Sequence, residues 1–193
     1  IKILHNNEMY IIGGQVDIGV TPVNNTDVYK FNDATNDWDI VGQTPSTLWT
    51  CTGTGWSAGG YMYITGGGKI NSLIGTYEFL NDKIYRSSDG LTWTEYATLL
   101  SGMPAMWPTT QTFNGKVWYI TGYATGGNQI GMWNSTNNGS LWSLYSTSFS
   151  ARHATSMCEF DNALYFGFGN FHNDLYRIEK VSCAAQGCAN DDV

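Results

Sequence analysis

Apolar and polar positions alternate over short runs that are separated by polar turns, the period-2 pattern of half-buried β-strands. In the first unit, residues 1–4 end a strand and His5 to Glu8 turn the chain. Residues 9–12 form a second strand that leaves through Gly13 and Gly14, residues 27–31 a third, and residues 38–41 a fourth beginning at Trp38. A second unit places strands at 48–52, at 61–64 with the glycine exit Gly66-Gly67-Gly68, at 83–86, and from Trp93 onward. The third has 109–113, the hairpin signal Asn114-Gly115, then 116–120, 132–134 and 142–145. The fourth has 152–158, the turn Asp161-Asn162, then 163–167 and 174–178, with no Trp to open a fourth strand. No long stretch carries apolar residues at helical spacing.

The units repeat. Gly14, Gly66, Gly122 and Gly169 are separated by 52, 56 and 47 residues. Trp38, Trp93 and Trp142 open the fourth strands and are separated by 55 and 49. From the third-strand aromatic to that Trp the distance is nine, eight and nine residues (Tyr29 to Trp38, Tyr85 to Trp93, Trp133 to Trp142), while the other connections vary. A hairpin turn fixes register, whereas a surface loop tolerates insertion. Four strands at a period near ~50 residues is the spacing of a propeller blade of the kelch type. The expected fold is therefore all-β, a β-propeller of about four blades of four antiparallel strands. The blades run over residues 1–46, 47–103, 104–149 and 150–181, and a polar Cys-containing tail fills 182–193.

Gly13-Gly14, Gly66-Gly67, Asp27-Val28-Tyr29, Asn81-Asp82, Asn173-Asp174-Leu175-Tyr176 and the spaced Trp residues make the chain resemble kelch-repeat propellers of the galactose oxidase-like superfamily. Two turns also resemble the Asp-box of sialidase-like propellers: Ser87-x-Asp89-Gly90-x-Thr92-Trp93, and more weakly Ser135-x-Asn137-x-Gly139-x-x-Trp142. The resemblance implies a structural role for Asp89 and for the glycines, and Trp residues packed between blades. Kelch rings usually hold more blades than this, which implies that other segments or chains complete the propeller; a closed four-bladed ring is the alternative.

Composition narrows the partners. Aromatics make up 15% of the chain and charged residues only 13%, the opposite of a disordered composition. A net charge of −7 repels phosphate backbones, so nucleic acid is not an expected partner, and no apolar run approaches membrane-spanning length. Cys183 and Cys188 flank a four-residue loop and form a candidate disulfide, which favours an extracellular, secreted or virion or cell-surface setting. Cys51 and Cys158 lie in strand-like runs and read as small buried side chains. No metal site and no cofactor is expected.

Candidate chemistry is sparse. Sialidase chemistry needs an arginine cluster, but Arg86 and Arg177 occupy equivalent places on different blades and are not expected to converge, and Arg152 begins the fourth unit's first strand. Copper oxidase chemistry needs more ligands than His5, His153 and His172 supply. The loops that enter first strands and leave second strands share one rim, and Trp49, Trp107, Arg152, His153 and Phe171 fall in them. Exposed aromatics beside an Arg suit contact with a protein or glycan. The expected function is a noncatalytic structural or recognition module. The alternative is part of a sugar-active propeller enzyme, mutarotase-like or oxidase-like, with catalytic residues partly outside this segment.

Overall fold

The computed structural model describes residues 1–18, 21–71, 76–79, 81–103, 106–120, 122–124 and 127–180. Cys183 and Cys188 lie outside the described residues, as does the tail. The architecture is all-β, and no helix occurs among the described residues.

Blade 1 is a four-stranded antiparallel sheet of β1 (Lys2–His5), β2 (Glu8–Ile18), β3 (Thr21–Asn32) and β4 (Asp37–Gln43), in that order. Blade 2 combines β5 (Thr54–Ala58) and β6 (Tyr61–Thr65) with β9 (Lys83–Ser87) and β10 (Thr94–Thr98). Between them a small hairpin of β7 (Gly68–Asn71) and β8 (Thr76–Phe79) projects from the sheet. Blade 3 has β11 (Thr109–Phe113), β12 (Lys116–Ile120), β15 (Met132–Ser135) and β16 (Ser143–Ser146), with a projecting pair β13 (Tyr123–Ala124) and β14 (Gly127–Asn128). Blade 4 has three strands among the described residues: β17 (Ser156–Phe160), β18 (Ala163–Gly167) and β19 (Leu175–Glu179).

The four sheets stand in a β-propeller arrangement. Inner strands pack side by side, β1 on β5, β5 on β11 and β11 on β17, and no comparable packing joins β17 back to β1 among the described residues. Three apolar seams hold the arc. Ile3, Tyr10, Ile12 and Val28 of blade 1 meet Met62, Ile64 and Trp93 of blade 2. Trp56, Tyr63 and Ile84 meet Val117, Tyr119, Trp133 and Trp142 of blade 3. Phe113, Trp118, Ile120 and Met132 meet Leu164 and Phe166 of blade 4, with Phe149 between.

Trp93 and Trp142 occupy equivalent places, each packed against the preceding blade. Their turns share one hydrogen-bond pattern. The Ser87 hydroxyl accepts from the Gly90 N–H at 2.9 Å, and Asp89 Oδ1 accepts from the Leu91 N–H at 2.9 Å. The Ser135 hydroxyl accepts from the Gly139 N–H at 2.9 Å, and Asn137 Oδ1 from the Leu141 N–H at 2.9 Å. The amide donors hold the Asp89 carboxyl below its ordinary pKa, the Leu91 amide most strongly. These side chains are spent on capping the turn. Trp38 differs from its expected burial. It is half-exposed and packs edge-on against Phe31, because no described blade lies on that side of blade 1.

Three sequence readings need correction. First, the inner strands of blades 2 and 4 begin later than expected, at Thr54 and Ser156, and residues 48–52 form the entry loop. Second, the β-ladders pair Ile12 with Val28, Thr65 with Ile84, Ile120 with Met132 and Gly167 with Leu175. Those pairs are equivalent, so Gly67 and not Gly66 matches Gly14, Gly122 and Gly169. A Cβ at Gly67 would collide with the Trp49 carbonyl oxygen and one at Gly169 with that of His153, so each glycine admits its own blade's entry loop. Third, the cysteines are not buried. Cys51 is half-exposed in a turn and Cys158 is exposed on β17, whose outer face no blade among the described residues covers.

Candidate functional site

The entry loops converge on one rim. Thr52, Trp107 and Ala154 each lie two residues before an inner strand, and all three take positive φ, +64°, +52° and +53°. A left-handed conformation at a non-glycine residue is uncommon, and its repetition across three blades marks a built feature. Its cause is a relay of main-chain hydrogen bonds between blades: the Trp107 N–H donates to the Thr52 carbonyl at 2.7 Å, and the Ala154 N–H to the Trp107 carbonyl at 3.1 Å. The strained backbone ties consecutive blades together and sets the direction of the side chains between them.

Those side chains are aromatic. The Trp107 ring lies 5.2 Å from His153 and meets Tyr123 edge-on at 6.0 Å, and Tyr123 in turn meets His153 at 6.0 Å. Tyr123 is held there by paired main-chain bonds to Met106. Burial lowers the His153 pKa from its ordinary 6.5, so the imidazole is neutral at neutral pH. One blade earlier, Lys69 sits 5.7 Å over the half-buried ring of Trp49.

Blade 4 completes the band. Phe168, Gly169, Asn170 and Phe171 all have positive φ, +58°, +80°, +42° and +67°. This run holds Phe168 half in solvent, and Phe171 is 104% exposed relative to an extended reference. An exposed phenylalanine on strained backbone has no packing explanation. Sequence reasoning found Phe171 but missed Phe168, whose positive φ leaves no composition signal, and Tyr123, which its paired main-chain bonds to Met106 bring to the cluster. The projecting hairpins rise beside this rim on blades 1 to 3. Gln15 of β2 pairs with Ile70 of β7 through two hydrogen bonds of 2.8 and 2.9 Å, which joins two of them.

Arg152 does not present a cation to this rim. It is fully buried. Its guanidinium grips the Asp174 carboxylate with both terminal nitrogens, Nη2 to Oδ2 at 2.7 Å, and donates to the Ser150 and Phe168 carbonyls. The neighbouring rings of Phe149 and Tyr176 pack against it, 5.9 and 5.6 Å from its central carbon. Arg152 holds Asp174 well below the ordinary carboxylate range. Arg86 stacks between Tyr61 and Tyr96, and Arg177 pairs with Glu179 at 2.8 Å. Arg86 lies on blade 2, whereas Arg152 in the entry loop and Arg177 on β19 both belong to blade 4 and hold different partners. His5 is buried at 2% exposure and bonds Ser57 at 2.8 Å and Asn6 at 3.1 Å.

The four inner strands line an open cavity of ≈ 550 Å³, with Thr54, Ser57, Thr110, Gln111, Thr112 and Ser156 among its walls. Its hydroxyls bond across blades: Thr54 with Thr110 at 2.8 Å, and Thr109 to the Thr155 carbonyl at 2.6 Å. No carboxylate, arginine or histidine is among the described residues that line it.

No family model matches the chain, and no curated protein matches it. Among solved structures, the structure of YjhT superposes with a TM-score of 0.66 over 87% of this chain at 17% sequence identity. That likeness establishes the β-propeller fold. The chain spans 58% of the length of that structure's chain. No helix among the described residues is long and apolar enough to cross a membrane.

Proposed function

We propose that this chain is a noncatalytic recognition module, a kelch-class propeller segment that works outside the cell or on a particle surface. It contacts a protein or glycan through the rim of blades 2 to 4. The observation that carries this reading is the Phe168–Phe171 turn, which spends backbone strain to expose two aromatic rings beside the Trp107, Tyr123 and His153 cluster. Flat aromatic surface with a neutral imidazole suits the apolar face of a sugar or a partner's apolar patch. The groups that would serve a sugar-active enzyme are already engaged: Arg152 with Asp174, Arg86 with two tyrosines, His5 with Ser57.

The test is the double variant Phe168→Asn/Phe171→Asn on glycan and protein arrays. Asn tolerates positive φ better than Phe does, so the fold is kept or slightly stabilised while the rings are lost. Binding is expected to fall at least about tenfold, as for loss of a hot-spot aromatic. Unchanged binding with an unchanged melting midpoint moves the site off this rim. The wild-type contact is also expected to change by less than about threefold as salt is raised, because screening acts little on apolar contacts. A steep salt dependence on the same arrays would show that charge, and not aromatic surface, carries recognition.

A further inference from the structure

The turn that presents Phe168 and Phe171 takes a conformation its own residues do not favour. Four consecutive residues have positive φ, and Phe168, Asn170 and Phe171 among them are not glycine. The blade 4 ladder ends at Gly167 and Leu175, and beyond it the Phe168 N–H donates to the Asp174 carbonyl at 3.1 Å. Inside the turn the His172 N–H donates to the Gly169 carbonyl at 3.0 Å. Blade 1 makes the same crossing in another way: β2 and β3 continue their ladder out to Ile18 and Thr21. Asp27 and Asp174 are equivalent, each two residues before a third-strand Tyr that donates its hydroxyl to it, at 3.2 Å from Tyr29 and 2.8 Å from Tyr176. The remaining partner differs. Asp27 accepts from the Gln43 amide on β4 at 3.0 Å, whereas Asp174 is gripped by Arg152. The arginine thus stands on the blade whose second and third strands leave the ladder early.

Arg152 reaches both ends of the turn at once. Its guanidinium donates to the Phe168 carbonyl at 3.3 Å and to both oxygens of the Asp174 carboxylate. It is itself fastened, by its N–H to the Gln129 carbonyl of blade 3 at 3.3 Å and by Nε to the Ser150 carbonyl at 3.0 Å. With 0% exposure it cannot touch a ligand. We infer that Arg152 is a positioning residue for recognition: it pins Phe168 to Asp174, and so keeps residues 168–171 left-handed and their two rings on the rim. What the rings bind rests on the function proposed above, while what holds them follows from these bonds. The pin needs a planar fork, because one group must serve a carboxylate and a carbonyl together. Lysine keeps the charge and loses the fork.

The test compares Arg152→Lys and Asp174→Asn with the wild-type chain by nuclear magnetic resonance, in which α- and β-carbon shifts read the backbone angle of each residue. Phe168, Asn170 and Phe171 are expected to lose their left-handed shifts in both variants. Asn114 and Asn162, left-handed in the hairpin turns of blades 3 and 4, are expected to keep theirs, as is Ala154 in the entry loop. Binding on the glycan and protein arrays is expected to fall at least about tenfold with the release of the turn. Left-handed shifts retained at Phe168 and Phe171 in both variants overturn the inference. Loss of the Asn162 and Ala154 shifts along with them also overturns it, because blade 4 as a whole would then have come apart. A released turn with undiminished binding upholds the pin and overturns the rim as the site of recognition. Should Arg152→Lys fail to fold, Asp174→Asn decides, since it leaves the arginine in place and removes the carboxylate it grips.

Discussion

Replacing Trp142 with Ala is expected to destabilise the protein by about 3–5 kcal/mol, the range for emptying a buried aromatic site. At roughly 2–4 °C of melting midpoint per kcal/mol for a chain of this size, that is a fall of about 6–20 °C. The ring sits in the seam between blades 2 and 3, edge-on to Trp56 at 5.9 Å and to Tyr119 at 5.6 Å, so its loss opens a cavity among rings that cannot collapse onto one another. Trp93→Ala should match it, since Trp93 fills the preceding seam and also donates to the Gly90 carbonyl at 3.1 Å. Trp38→Ala is expected to cost only about 1 kcal/mol, the worth of one edge-on aromatic pair at a half-exposed site. Thermal or denaturant unfolding of the three variants measures the contrast. Equal losses at all three positions would mean that Trp38 is sealed by a neighbour and that the arc has a different order of blades.

Arg152→Ala is expected to cost about 3 kcal/mol, the lower end for removing one partner of a buried ion pair. The lower end applies because Asp174 keeps 37% of its side chain in water and can be rehydrated once the guanidinium is gone. The loss combines the bidentate grip on Asp174, the bonds to the Ser150 and Phe168 carbonyls, and the packing against the rings of Phe149 and Tyr176. The same pair makes stability depend on pH in acid. The Asp174 carboxyl is depressed below its ordinary 3.8, chiefly by the hydrogen bond from Arg152. In the window below 3.8 the unfolded chain binds the proton and the folded one does not, so the contribution is whole above that value and fades as pH falls. Asp174→Asn should flatten that part of the acid-unfolding profile. A profile identical to wild type would show that the pair is not maintained in solution.

Much of the fold is legible in the sequence because a blade repeats the same two signals, alternating short strands and a hairpin of fixed length that ends in Trp. Tyr29, Tyr85 and Trp133 find their places from that spacing alone. The errors arise where the signal is degenerate. A glycine run such as Gly66-Gly67-Gly68 allows the alignment to slip by one residue, and only the ladder pairing shows which glycine faces the entry loop. Residues 48–52 look as strand-like as Thr54–Ala58, and the choice falls to the positive φ at Thr52, which its side chain does not advertise. Arg152 reads as a rim cation from its place in a loop. Its burial depends on Asp174, 22 residues away and brought beside it by the turn between β18 and β19. At Met9 and Ile11 the apolar pattern speaks for a sealed face, yet both are exposed, on the side of blade 1 where no described blade lies.

Whether the rim recognises or transforms its ligand is decided by nuclear magnetic resonance of this chain with a panel of reducing sugars, sialic acids included. One sample reports saturation transfer from protein to sugar, the rate of anomer exchange, and any oxidised product. The account predicts saturation transfer that disappears in Phe168→Asn/Phe171→Asn, with anomer exchange no faster than in buffer and no product formed. Accelerated anomer exchange or oxidation by the wild-type chain would contradict it and make the propeller an enzyme.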